Sequence, residues 1–270
     1  MYKLRFIDSR IFDGAMNMAI DELLAGSIAN NSGIVYLRFY QWNPATLSFG
    51  YNQKIDRLIN IDAARNSGLD LVRRMSGGKM VFHNLEYTFS LGLPAEFIET
   101  QIGRGKPFLE MFMLAVSPLV ESLKRMGVPA RFASSRDMHH SSNSLHCYAT
   151  AAGHSIYADN RKLVGAAGVF RQNCLTVHGS IPVTATHPPE EIFVSKQGVT
   201  NDVDMAALHD FCDDEKICEL PHIVARTYSE LLNLEIIDQS LTREELATAG
   251  TLAGARYKDL FWKINSNELL

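Results

Sequence analysis

Arg73-Arg74-Met75-Ser76-Gly77-Gly78-Lys79-Met80-Val81-Phe82-His83-Asn84 joins apolar stretches that carry a strand signature. LDLVRR (69–74) runs into the glycine turn Ser76-Gly77-Gly78, and MVFHN (80–84) and EYTFSLGL (86–93) continue as strands. Glycines let a backbone approach a ligand closely and expose its N–H groups. Arg73 and Arg74 add fixed positive charge and forked donors. The combination suits a phosphate, a carboxylate or an acyl carbonyl. It equally suits a hairpin turn with solvated basic side chains.

Upstream of the turn, Asp13 can cap a helix over about 15–29, with Met16, Ile20, Leu23, Leu24 and Ile28 at helical spacing. IVYLRFY (34–40) and TLSFGY (46–51) read as strands separated by Pro44, and residues 57–67 as a short helix ended by Gly68. Downstream, Pro107 opens a long helix burying Phe108, Met111, Phe112, Ala115, Leu119, Leu123 and Met126, and Gly127 closes it. A strand is expected at VPARFA (128–133), then a polar surface loop over 134–146. GHSIYA (153–158) and RKLVGAAGVF (161–170) flank Asp159-Asn160, a hairpin turn. CLTVHGSIPV (174–183) is a further strand, and helices are expected near 203–211, 217–233 and 242–255. Strands and helices alternate without a regular βαβ repeat, which defines an α+β chain. No linker or repeat divides it, so residues 1–270 read as one catalytic domain with a short helical extension from about 240.

The 270 residues are 46% hydrophobic and 21% charged, enough to build a packed core. A net charge of −4 excludes the broad basic field of a non-specific nucleic-acid binder. No apolar run approaches the roughly 18 residues of a membrane span. Lys3, Arg5, Asp8 and Arg10 interrupt the N-terminus, so no export signal is expected there. The four cysteines form no CxxC pair, and the crowded His139, His140, His146 and His154 have no metal-ligand spacing. The expectation is a cytoplasmic protein with reduced thiols and no metal.

Two further stretches carry candidate chemistry. In Arg161-Lys162-Leu163-Val164-Gly165-Ala166-Ala167-Gly168, a lysine early in a strand precedes small residues that leave room for a ligand; the alternative is a tightly packed hairpin with a solvated lysine. Cys147 is a nucleophile if a nearby cation favours its thiolate, and otherwise a small buried hydrophobe, as Cys174, Cys212 and Cys218 read. Asp21-Glu22 are either exposed or support a neighbouring loop, whereas Asp213-Asp214 and Glu244-Glu245 read as water-facing.

Taken in order, these pieces resemble the biotin/lipoate protein ligase catalytic domain, in its lipoate ligase and octanoyltransferase branch. Asn17 to Glu22 is similar to that family's N-terminal helix signature, and Leu37 to Trp42 with Pro44, Ser48, Gly50 and Gln53 to its first strand pair. Arg73-Arg74 to His83 resembles its motif RRxSGGxxVxH, and Lys162 with Gly165, Ala166 and Ala167 its lysine segment. His178-Gly179-Ser180-Ile181 resembles the next strand, and Arg256-Tyr257 with Trp262 the branch's ending.

The resemblance implies a class II synthetase-like domain, a central mixed or antiparallel sheet flanked by helices. The acyl site it implies is formed by Arg73, Arg74, Ser76, Gly77, Gly78, His83, Gly165, Ala166, Ala167, His178 and Gly179, with Lys162 at the acyl carbonyl. In LipM-type octanoyltransferases the nucleophilic cysteine precedes the motif lysine by fifteen residues, as Cys147 precedes Lys162 here. Ala151-Ala152 and His154-Ser155 replace that segment's Pro-Ser and Tyr-Glu, and also the Asn-Asp of the ligases.

The implied reaction passes an octanoyl or lipoyl group from acyl carrier protein, through Cys147, to a lysine of a lipoyl domain such as glycine-cleavage H protein or a 2-oxoacid dehydrogenase subunit. It needs no cofactor and involves no nucleic acid or membrane. The alternatives are an ATP- and Mg²⁺-dependent lipoate-protein ligase working through lipoyl-adenylate, and a non-catalytic binder of lipoate or lipoyl domains.

Overall fold

The computed structural model describes residues 1–29, 33–134, 137, 154–194 and 204–259. Strand β1 (Lys3–Phe12) leads into helix α1 (Gly14–Ala29). Asp13 caps this helix as expected, its carboxylate accepting from the Met16 N–H at 2.7 Å. Strands β2 (Ile34–Trp42) and β3 (Thr46–Phe49) follow, then helix α2 (Ile61–Asn66) with Asn60 as its cap. Strand β4 (Asp70–Arg73) enters the glycine turn, and β5 (Val81–His83) and β6 (Glu86–Pro94) leave it.

Helices α3 (Ala95–Ile102) and α4 (Phe108–Arg125) precede β7 (Arg131–Phe132), β8 (Ile156–Ala158), β9 (Arg161–Arg171) and β10 (Cys174–Pro182). Helices α5 (Asp214–Cys218) and α6 (Leu220–Leu232), strand β11 (Glu235–Asp238) and helix α7 (Arg243–Leu252) complete the order, with one π turn over Ala253–Tyr257.

Among the described residues, eight strands form a mixed sheet in the order β11-β1-β2-β6-β10-β9-β8-β7. β1 runs parallel to β11 and β2, and the remaining pairs are antiparallel. A smaller sheet, β4-β3-β5, is built from the segments around the glycine turn. Alternation along β2 shows how the large sheet fills both faces. Val35, Leu37 and Phe39 join Phe89, Leu91 and Leu93 against α4 and α6, where the Tyr228 hydroxyl donates to the Ala115 carbonyl at 2.6 Å. Tyr36 and Tyr40 face the other way, toward Met18, Ile20 and Leu24 of α1 and toward Ala249, Ala253 and Tyr257. Among the described residues no helix is long and apolar enough to cross a membrane.

The expected α+β architecture is present, with local differences. α3 and β11 were not anticipated. The helix expected over 57–67 is shorter, preceded by a 3-10 turn at Ile55–Arg57, and that near 203–211 is a 3-10 turn over Leu208–Asp210. The helix expected over 217–233 is two, and Pro221 sits in the first turn of the second, where its missing N–H costs nothing. Phe108 is 44% exposed because it begins α4, before the helix reaches the sheet. Glu245 does not simply face water: Arg5 grips its carboxylate at 2.6 and 2.8 Å. Cys218 is exposed rather than buried.

Candidate functional site

The motif arginines fix the glycine turn and the neighbouring loop after β3. Arg73 is fully buried, and its Nη1 donates to the carbonyls of Gly50, Tyr51 and Gln53 at 3.1, 2.7 and 2.8 Å. Arg74 donates to the Ser48 carbonyl and hydroxyl at 2.8 and 2.6 Å, and to the carbonyls of Gly77 and Lys79 at 3.2 and 2.9 Å. Carbonyls that a tight turn would strand in the interior thus receive charged donors. Gly78 adopts φ +95°, in the left-handed region open to glycine.

A cleft enclosing about 420 Å³ of atom-free space, part of it open to solvent, lies where the turn faces the large sheet. Of the residues singled out in the sequence, Arg74, Gly78, His83, Gly165, Ala166, Ala167, His178 and Gly179 line it. Small residues meet across it: a Cβ on Gly78 would lie 3.6 Å from that of Ala167. Arg73, Ser76 and Gly77 do not line it. Met18, Tyr40, Trp42, Val81, Thr88 and Ser180 also line the cleft, and sequence reasoning did not mark them as wall residues. Met18, Tyr40, Trp42, Val81 and Ser180 belong to recognised motifs; Thr88 carries no signal beyond strand propensity.

Two histidines are held in different ways. Ser76 Oγ and His178 Nε2 are hydrogen-bonded, tying the turn to β10. Burial first, then the charge of Arg74 and the neighbouring His83, pushes the His178 imidazole down to about 3, so it is neutral at physiological pH. Its Nδ1 is buried without a hydrogen-bond partner among the described residues. His83, in contrast, is bonded at both nitrogens, to Glu86 Oε1 at 2.7 Å and to Ser48 Oγ at 2.5 Å. The Trp42 ring stacks on it with centroids 4.1 Å apart.

Below Tyr40 a second polar group is fully enclosed. Arg38 donates to Asp21 at 2.7 Å and to the Asn17 side chain at 2.6 Å, and the Tyr40 hydroxyl donates to Asp21 at 2.9 Å. Asp21 therefore supports the cleft wall, while Glu22 turns outward to Arg256 and Tyr257.

Lys162 is 4% exposed, on β9 three residues before Gly165. A buried ammonium is costly unless its charge is used or compensated. His154 is half-buried. It packs edge-on to Phe112 with centroids 4.6 Å apart, and burial, then the Lys162 charge, lowers its pKa. Cys147 lies outside the described residues, as do Tyr148, Trp262, His139, His140 and His146. Burial pushes the Cys174 thiol up to about 11, which leaves it no thiolate character near neutrality. Among the described residues no cluster of His, Cys, Asp or Glu is arranged to hold a metal ion.

This architecture, a mixed sheet between helical layers with a glycine turn closing on a small-residue strand, is that of the lipoate-protein ligases. It superimposes on the bi-partite lipoate protein ligase of Thermoplasma acidophilum with a TM-score of 0.76, 21% identity and coverage of 98% of this chain and 97% of that one. The chain belongs to the lipoyl protein ligase A/B catalytic domain family, whose profile matches residues 13–219. It is 29% identical to the octanoyltransferase LipM of Geobacillus kaustophilus over 96% of both chains. It is also 29% identical to the octanoyltransferase LipM of Carboxydothermus hydrogenoformans, over 96% of this chain and 97% of that one.

Proposed function

We propose that this chain transfers an octanoyl or lipoyl group from acyl carrier protein to a lysine of a lipoyl domain, through a thioester on Cys147. The observation that carries the reading is the cleft itself: carbon-rich walls from Met18, Trp42, Val81 and Ala166, with the buried Lys162 on the same strand as the lining Gly165, Ala166 and Ala167. Such walls take a hydrocarbon tail, and the Lys162 ammonium would serve its carbonyl. In the first step the Cys147 thiolate attacks the donor thioester. Its S–C bond forms as the carrier's C–S bond breaks, and the carrier thiol leaves with the proton that Cys147 gave up on becoming a thiolate. In the second step a neutral lysine amine attacks the acyl-enzyme, the amide forms, and the Cys147 thiol is regenerated with the amine's proton. Lys162 stabilises the oxyanion in both steps.

The ATP-dependent alternative asks the glycine turn to cradle phosphates. The described hydrogen bonds of Arg73 and Arg74 are spent on the protein's own carbonyls and the Ser48 hydroxyl, which favours the acyl reading. Intact-mass analysis after incubation with octanoyl-acyl carrier protein, without ATP, tests the proposal. An octanoyl adduct that disappears in Cys147→Ala is expected. Absence of an adduct, with lipoylation of an acceptor domain only when lipoate, ATP and Mg²⁺ are supplied, would make the protein a ligase. Silence in both arms would leave a binding module.

A further inference from the structure

Glu86, the first residue of β6, is 3% exposed and does not itself line the cleft. Its carboxylate nevertheless collects the polar wall of the cleft. Oε1 accepts from His83 Nδ1 at 2.7 Å and from the Thr88 hydroxyl, and Oε2 accepts from the Ser180 hydroxyl. Thr88 Oγ1 in turn accepts from Trp42 Nε1 at 2.7 Å. Trp42 and His83 are the stacked pair, 21° from parallel, so both rings are anchored on one carboxylate, His83 directly and Trp42 through Thr88. The far side of His83 is fixed too. Its Nε2 faces Ser48 Oγ, which also takes a hydrogen bond from Arg74. The assignment that satisfies every atom has Nδ1–H donating to Glu86 and the Ser48 hydroxyl donating to Nε2.

A buried carboxylate is expensive unless hydrogen-bonded, and a satisfied network of this kind fixes one arrangement of the side chains it touches. Resting on the acyl-cleft reading above, we propose that Glu86 is a positioning residue for chain-length selectivity. By holding the Trp42–His83 stack upright it sets the width of the cleft, and so which acyl tails fit.

The test uses the full chain with Trp262→Phe, which leaves Trp42 as the sole tryptophan of the two in the sequence. Hexanoate, octanoate, decanoate and dodecanoate are titrated against Trp42 fluorescence. In Glu86→Ala the emission maximum shifts as the stack loosens, and the affinity for dodecanoate relative to octanoate rises about tenfold, the worth of roughly two further methylenes accommodated. Glu86→Gln keeps an acceptor for Nδ1–H and retains the native ranking. Thr88→Val cuts the Trp42 arm alone, preserves shape, and shifts the ranking in the same direction by less. It carries the test if Glu86→Ala does not fold. A native protein that binds octanoate, with a ranking unchanged in Glu86→Ala or Thr88→Val, overturns this inference while leaving the acyl cleft standing. A native protein that binds none of the acids overturns both.

Discussion

Gly50 and Gly78 meet backbone to backbone, so closely that a Cβ on Gly50 would overlap the Gly78 carbonyl. The contact holds the turn against the end of β3. Gly50→Ala must therefore displace the turn rather than a side chain. We expect a loss of about 1–3 kcal/mol, the usual cost of overpacking a filled site, read from the urea midpoint. Weaker acyl binding should accompany it. An unchanged midpoint would show that the turn moves freely.

The neutral state of His178 makes stability depend on acid. Its folded pKa, about 3, lies below the ordinary unfolded value, so the unfolded chain binds the extra proton and stability falls as pH drops through that interval. Between pH 7 and pH 5 this group alone accounts for about 2 kcal/mol, taking an unfolded pKa near 6.5. Chemical denaturation at both pH values should show a smaller acid loss in His178→Gln than in the native protein. Equal losses would mean that the imidazole is protonated in the fold.

Asp21 and Arg38, both fully enclosed, should behave as a unit. Asp21→Ala strands a buried guanidinium and releases Tyr40 at the cleft, and should cost about 3–5 kcal/mol. Pairing Arg38→Met with Asp21→Leu should recover most of that loss, because two apolar side chains leave no unpaired charge. A double-mutant cycle in guanidinium chloride measures it. Additive losses would show that the two residues do not depend on each other.

Lys162→Met separates chemistry from packing, since it keeps the apolar stem. Transfer of octanoate in a single turnover should slow on the order of a hundredfold or more, the cost of removing one oxyanion donor. Independently of activity, the His154 pKa, followed by NMR, should rise, because the Lys162 charge is the second of the two causes that lower it. It should stay below the ordinary value, since burial, the larger cause, remains. A His154 signal indifferent to the substitution would place the ammonium elsewhere.

Legibility in the sequence followed locality. The capped face of α1, the alternation of β2 and the Asp159-Asn160 turn, with φ of 46° and 62°, were readable because each is encoded within a few neighbouring residues. The companion turn at Gln172-Asn173 also has positive φ, yet glutamine gives no warning of it. β11 is short and largely exposed, and exists because β1 offers it a parallel partner 232 residues upstream of Glu235 at Lys3. α3 follows Pro94 without a side-chain cap. In the site, the glycine turn and the small-residue strand were visible as motifs, but the inward aim of Arg73 and Arg74 was not. An arginine's reach spans several residues of space, and its partners here are backbone carbonyls that no sequence pattern displays. Glu86 escaped for the same reason: nothing local tells a strand-starting glutamate that it will be enclosed.

The cleft opens at the junction of the two sheets, with wall residues from each and the Ser76–His178 bond bridging them. A void at such a junction is a place where cohesive contact is missing from the interior. An acyl tail occupying it would act as a removable keystone, finishing the core that the polypeptide leaves incomplete. Delivering the cargo would then return the protein to its less cohesive state, so that letting go of product and loosening the seam between the sheets become one event.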